Sequence, residues 1–329
     1  MLRILHDTNY DFIRWWKVMA AITIAFIVLG LGSLAIKPPN YSIEFTGGTL
    51  MQLEFTQPPD VGVIRSTLDE AGIRGAEIQQ FGTNREFTVR AQDPGVVAAQ
   101  SKGAESIAVT IERVLKEKFG GNALKVVRTE AVGPRVGQEL RRGAIIAILL
   151  SFLITLVYLS IRFEWRFATA AVIATSHDVF TTIAFLKLMH LEISLTVVAG
   201  LLTVLGYSLN DTIIIFDRVR ENLRKGRKET LYETLNRSIN ETLPRSVLTH
   251  ATVLAATLSL LFFAGEVIRP FAWVMAFGVI TGTFSSIYVA APVLLWIERK
   301  WPRTTGARQS SSTATPTSRT RRSPATATR

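Results

Sequence analysis

The chain has 329 residues, 48% of them hydrophobic, with a mean hydropathy of +0.27 and a formal charge of +11, which excludes an ordinary soluble domain of this length. It has no cysteine, so disulfides, thiolate metal sites and cysteine nucleophiles are excluded. No Walker loop, His-Glu-x-x-His or Gly-x-Ser-x-Gly string occurs, and "EFTGGT" has two glycines with no lysine after them, so neither a phosphate loop nor those hydrolase sites are expected. A non-enzyme without metal or cofactor is the reading.

Residues 1–16 precede a first apolar segment, 17–36, which is long and is followed by no A-x-A site. It reads as a retained membrane helix, not a cleaved leader. Residues 37–140 are polar and read as a folded α+β domain. The expected strands are Tyr41–Phe45, Leu50–Phe55, Ala76–Phe81, Glu86–Ala91 and Ala123–Glu130; the expected helices are Asp60–Ala71 and Ser101–Phe119. Gln52 and Glu54 alternate with Met51, Leu53 and Phe55 as a half-buried strand requires, and Ile107, Ile111, Val114 and Leu115 make one apolar helical stripe. After an extra first strand the order is β-α-β-β-α-β, a ferredoxin-like arrangement.

Five further spans follow over 143–297, at 143–161, 167–188, 193–215, 246–264 and 271–297, the last overlong and expected to tilt. The fold class is a polytopic α-helical membrane protein with six transmembrane helices and an extracytoplasmic ferredoxin-like domain. Residues 302–329 contain six arginines and no acid among Ser, Thr, Pro and Ala. Such a tail is expected to be disordered, and to face cytoplasm and membrane lipid rather than nucleic acid. Arg162 and Arg166 lie between spans two and three, and Arg218, Arg220, Arg224, Lys225, Arg227, Lys228, Arg237 and Arg245 lie between spans four and five. The positive-inside tendency then puts both termini in the cytoplasm and residues 37–140 on the far, periplasmic side.

Ionisable residues interrupt the spans. Span three holds His177 and Asp178 near its middle, and span four holds Asn210 and Asp211. A charged aspartate near a membrane centre costs roughly 2.5–3.5 kcal/mol on insertion scales, so a function or a buried partner is expected for it. Thr203, Tyr207 and Asp211 recur every four residues and share a face, with Ser208 beside it; in span five Arg245, Thr249 and Thr252 share another, with His250 alongside. At 1.5 Å per residue Asp211 lies about 9 Å from the boundary marked by Asp217, within reach of an arginine extended from Arg245. These groups suit a proton path, in which burial and a nearby guanidinium oppose each other at the carboxyl. The same residues also suit plain interhelical hydrogen bonding. An intramembrane aspartic protease is disfavoured, because Asp211 lacks a Gly-x-Gly-Asp context and Asp178 lies in "SHDVF".

Six strings, in order along the chain, then carry a resemblance: "SIEFTGGT" (42–49), "VGPRVGQEL" (132–140), "RFEWRFATAAVIATSHD" (162–178), "VLGYSLNDTIIIFDRVREN" (204–222), "NETLPRSVLT" (240–249) and "GTFSSIYVAAP" (282–292). From about residue 14 to 302 the chain resembles the SecD/SecF family of export proteins, within the resistance-nodulation-division superfamily. Glu44 stands where that family usually has Asp, and His250 where a small residue is usual. The resemblance implies half of a twelve-span transporter. It implies SecD as partner, the SecYEG channel, a YajC-like accessory subunit and an unfolded preprotein client, with the proton-motive force driving translocation across the inner membrane. It places the proton-path carboxylate on Asp211 and its arginine on Arg245, with Thr249, Asn210 and Asp178 as further members. The alternatives are half of a small-molecule or lipid exporter and a structural translocon scaffold; the coupling ion, H+ or Na+, stays open.

Overall fold

The computed structural model describes residues 8–91, 102–225, 229–265 and 267–302. Beyond Pro302 the expected basic tail lies outside them. Six helical stretches among the described residues are long and apolar enough to cross a membrane: Ile13–Ala35, Arg135–Arg162, Trp165–Leu188, Leu195–Arg224, Leu231–Phe263 and Arg269–Lys300. The first contains α1 (Trp16–Gly32). The next four correspond to α5 (Pro134–Arg162), α6 (Trp165–Leu188), α7 (Leu195–Arg224) and α8 (Leu231–Phe263). The sixth comprises α9 (Arg269–Ser285), a π-helical turn (Ser286–Ala290) and α10 (Ala291–Lys300).

Between α1 and α5 lie α2 (Ile43–Thr46), β1 (Gly48–Phe55), α3 (Val61–Glu70), β2 (Glu77–Gln80), β3 (Glu86–Ala91), α4 (Lys102–Phe119) and β4 (Leu124–Val132). The sheet is antiparallel in order β2-β3-β1-β4, with both flanking strands paired to β1, which is the expected ferredoxin-like topology. Met51, Leu53, Phe55, Phe87 and Val89 pack against Ile64 and Leu68 of α3 and Ile107, Ile111 and Leu115 of α4 to make its core. Two expectations need correction. The extra strand at Tyr41–Phe45 is a single helical turn, α2; Ile43 and Phe45 are both buried, which mimics the alternation of a strand. Gly47 and Gly48 end it at φ 75° and 122°, values that residues with a Cβ rarely adopt. The domain also gives way to α5 at Pro134, before the expected boundary at 140.

In the membrane body α6, α7, α9 and α10 form the interior, while α1 and α5 lie outside and expose long apolar rows such as Ile145, Leu149, Leu153 and Val157. Close approach of α7 and α9 depends on small residues one turn apart. A Cβ on Gly278 would overlap the Val204 side chain, and one on Gly282 would press on Ser208. The N-terminal half of α8 begins with a capping box, Thr230 with Glu233, and continues past Pro244, whose missing N–H leaves a carbonyl of the preceding turn without its usual partner. Asn236 and Asn240 on that half hold the backbone of Tyr10 and Phe12, tying the N-terminal segment to α8.

Candidate proton-carrying site

Asp178 is fully buried, and Asp211 is 2% exposed. The α7–α9 contact supplies what buried carboxylates require, which is hydrogen-bond donors. Asp178 accepts from Ser208 of α7, from Ser285 of α9 at 2.7 Å, and lies 3.1 Å from Nδ1 of its neighbour His177. Asp211 accepts from Ser246 of α8 and from Ser286 at 2.7 Å. Adjacent serines at the junction of α9 and the π-turn thus serve two acids on two different helices. Ser208 and Asp211 are three residues apart on α7, so both acids belong to one polar seam through the bundle.

Ser285 and Ser286 have a second acceptor each. Ser286 Oγ is 2.9 Å from the Thr283 carbonyl and Ser285 Oγ is 3.2 Å from the Gly282 carbonyl. A hydroxyl has one proton to donate and lone pairs to accept. Facing an ionised Asp211, Ser286 donates to the carboxylate; facing a protonated one, it can accept from the acid and turn its own proton to Thr283. The site therefore satisfies Asp211 in either state without moving a helix.

The sequence reading found both acids and missed most of their partners. Ser246, Ser285 and Ser286 were not singled out, although the first lies within "NETLPRSVLT" and the other two within "GTFSSIYVAAP". Their signal is weak, because serine is common in helices and only the glycines one turn earlier mark the contact. Arg245 is exposed on the outer side of α8, and among the described residues no ion pair joins it to Asp211; the adjacent Ser246, rotated about 100° around the helix, reaches the acid instead. The expected approach of Arg245 to Asp211 is thus not made in this structure. Asn210 is exposed too, and Thr249 is half-buried. Thr203 and Thr252 are exposed as well, so Thr203, about 80° around α7 from Asp211, does not share the buried side that the four-residue spacing suggested. His250 is buried and accounted for by Thr283 Oγ1 at 2.9 Å and the Tyr207 ring at 6.0 Å. His177 Nε2 is buried with no partner among the described residues.

Residues 110–300 match the family described as protein export membrane protein SecD/SecF, C-terminal, and residues 32–59 match the SecD/SecF GG motif. The chain belongs to the SecD/SecF family. A protein translocase subunit SecF from Gemmatimonas aurantiaca is 63% identical over 305 residues, covering 92% of this chain and 91% of the relative. One from Vibrio alginolyticus is 40% identical, covering 88% and 90%. Among solved structures, the crystal structure of a Thermus SecDF, a translocon-associated membrane protein, superposes with a TM-score of 0.78 at 36% identity over 91% of this chain. This SecD/SecF chain spans 40% of that SecDF chain. The GG-motif match contains the α2 turn and its two glycines, and the longer match contains both acids and all their serine partners. A multi-pass membrane protein of the export family is the result.

Proposed function

We propose that the chain is an accessory subunit of the Sec protein-export machinery, which with SecD uses the proton-motive force to promote preprotein translocation through SecYEG. The observation that carries the proton role is Asp211: a buried intramembrane carboxylate held by two hydroxyls, one of them able to serve either protonation state. Such a group is a functional candidate by default. A charge crossing the membrane is worth about 2.3 kcal/mol per 100 mV, enough to bias a conformational step.

Exposed polar residues on the spans support a partner half. Asn210, Arg245 and Thr252 are exposed on helices long enough to span the membrane, where lipid satisfies no polar group. A second six-span half seated there covers them, and Arg245 then faces the partner. Movement between the halves brings Arg245 toward or away from Asp211, which loads and releases the proton. The fit to two fifths of a SecDF chain supports SecD as that half. In this reading both termini are cytoplasmic and the ferredoxin-like domain is periplasmic, where it meets the emerging chain. A YajC-like subunit completes the inner-membrane assembly.

Inner-membrane vesicles carrying Asp211→Asn provide the test. The variant is expected to insert and to co-purify with the partner half while losing gradient-dependent stimulation of export. Normal stimulation by Asp211→Asn would remove the proton role, and failure to recover a second six-span subunit with the native chain would remove the partner assignment.

A further inference from the structure

The turn Ser42–Gly48 takes no part in the seam around Asp211, yet it grips the outer end of the same helix. Ile193, in the loop before α7, donates its N–H to the Asn40 carbonyl at 2.7 Å and accepts from the Ser42 N–H at 2.9 Å, a parallel bridge opposite Tyr41. Glu44 accepts from the N–H of Leu195, the first residue of α7, at 2.6 Å, and from the Ser42 hydroxyl at 3.2 Å. A carboxylate at that position meets the positive end of the helix dipole. Ser194 separately caps the same terminus through the Val197 N–H at 3.3 Å, so α7 does not need Glu44 in order to form.

From the sheet, Arg90 on β3 reaches the same loop: it donates to the Tyr41 carbonyl at 3.1 Å and pairs with Glu192. On the other side, the Arg141 guanidinium of α5 lies 5.2 Å from the Tyr41 ring centroid, and Gly137 backs onto Phe45 and Gly47 so closely that a Cβ would stand 3.1–3.2 Å from their backbone. Lys187 at the end of α6 donates to the Lys37 and Pro38 carbonyls at 2.7 and 3.1 Å. The turn is thus fixed between the sheet, α5 and the α6–α7 loop. Asp211 lies sixteen residues down α7, about 24 Å along a continuous helix.

We propose that Glu44 is a positioning residue for Asp211: with Arg90 it locks the ferredoxin-like domain to the head of α7 as a rigid joint, so that domain and helix move as one body. The inference deepens the proton-coupled export reading and rests on it for its consequence, which is that displacement of α7 at Asp211 becomes displacement of the domain. It also gives the glycine pair a physical reason. Gly47 and Gly48 turn the chain back into β1 within two residues, which keeps the grip short and stiff.

Two readouts separate this joint from the export reading. Spin labels at Glu70→Cys on α3 and Gly265→Cys after α8, in the otherwise cysteine-free full chain with its partner half, report the angle between domain and bundle. The native background is expected to give one narrow distance distribution, and Glu44→Ala a distribution at least twice as broad. Glu44→Gln, which keeps an acceptor oxygen for the Leu195 N–H, is expected to stay near the native width. An unchanged width in Glu44→Ala overturns the joint.

In export vesicles Glu44→Ala is expected to lose at least tenfold of the gradient-dependent stimulation, and an oxidised Tyr41→Cys, Ile193→Cys pair added to it to restore the response. Full stimulation by Glu44→Ala alone, or loss of stimulation when the cysteine pair is oxidised with Glu44 intact, overturns the positioning role. Vesicles of the native chain without any gradient response would instead overturn the export reading, and the distance distributions would still decide the joint.

Discussion

The inner and outer faces of α7 carry polar residues for opposite reasons. On the inner face Asp211 and Ser208 are buried, and each has its hydrogen bond supplied from within the chain. On the outer face Thr203 and Asn210 are exposed, as are Arg245 and Thr252 on α8. Asp211 and Ser208 are bonded within one polypeptide, whereas Asn210 and Arg245 are left facing outward; the Thr203 and Thr252 hydroxyls turn back to carbonyls of their own helices. Polar residues in a membrane span therefore divide into those that hold a subunit together and those that await another, and a single helix of thirty residues presents both. Removing an inner hydrogen-bonding side chain should cost stability first; an isosteric change inside, such as Asp211→Asn, and substitutions outside should largely spare stability and cost coupling.

The largest expected effect follows from removing an inner acid with all its donors left behind. Asp178→Ala strands the hydroxyl of Ser208 and much of the bonding of Ser285 in a buried site, each stranded group costing about 1–3 kcal/mol. The chain is expected to lose most of its membrane yield and to unfold at clearly lower temperature in mild detergent; native yield and unfolding temperature would contradict the division just drawn. Next comes Gly278→Val, which forces branched carbons into Val204 at the α7–α9 contact. Overpacking of this kind costs about 1–3 kcal/mol. A lowered unfolding temperature with the partner half still recovered is the expected result.

Arg245→Ala sharpens the contrast from the other side. As an exposed residue outside any ion pair with Asp211, it should shift stability by less than about 0.5 kcal/mol. Gradient-dependent export should nevertheless fall as it does for Asp211→Asn. If unfolding temperature and export fall together, Arg245 belongs with the structural set and the outer face is misassigned.

How much of this was legible beforehand depends on the range of the interaction. Local signals read well. Alternation at Met51, Leu53 and Phe55 gave β1, and the stripe at Ile107, Ile111 and Leu115 gave the core side of α4. Long apolar runs gave all six spans. The α2 turn was misread because one helical turn and two strand residues bury the same pair, Ile43 and Phe45; the hydrogen bonds from Thr46 N–H to Ser42 and from Gly47 N–H to Ile43, and the φ angles of Gly47 and Gly48, separate them. Asp178 and Asp211 stood out because a charge in an apolar run is conspicuous. Ser246, Ser285 and Ser286 did not, since their role depends on how α7, α8 and α9 are rotated against one another. That rotation is a tertiary property with no one-dimensional signature, and it also decided that Ser246 and not Arg245 meets Asp211.

The smallest expected effect lies at the joint between domain and bundle. Burial pushes the Glu192 carboxyl above its ordinary value of 4.5, and the attraction of Arg90 only partly offsets this, while Glu44 and Glu77 add repulsion. The nearby Lys187 is engaged with the Lys37 and Pro38 carbonyls. Because the folded chain holds this proton more tightly than the unfolded one, stability gains as pH falls through the raised value toward 4.5 and gains nothing further below it. Above the raised value the penalty of the ionised form is present in full, so there the Arg90–Glu192 pair supplies geometry more than net stability. Thermal unfolding of native chain and Glu192→Gln, compared at each pH from neutral down to 4.5, isolates this group from others that titrate in the same window. The native chain should gain on the variant as the pH drops. A constant difference would mean that Glu192 is solvated as freely in the folded chain as in the unfolded one.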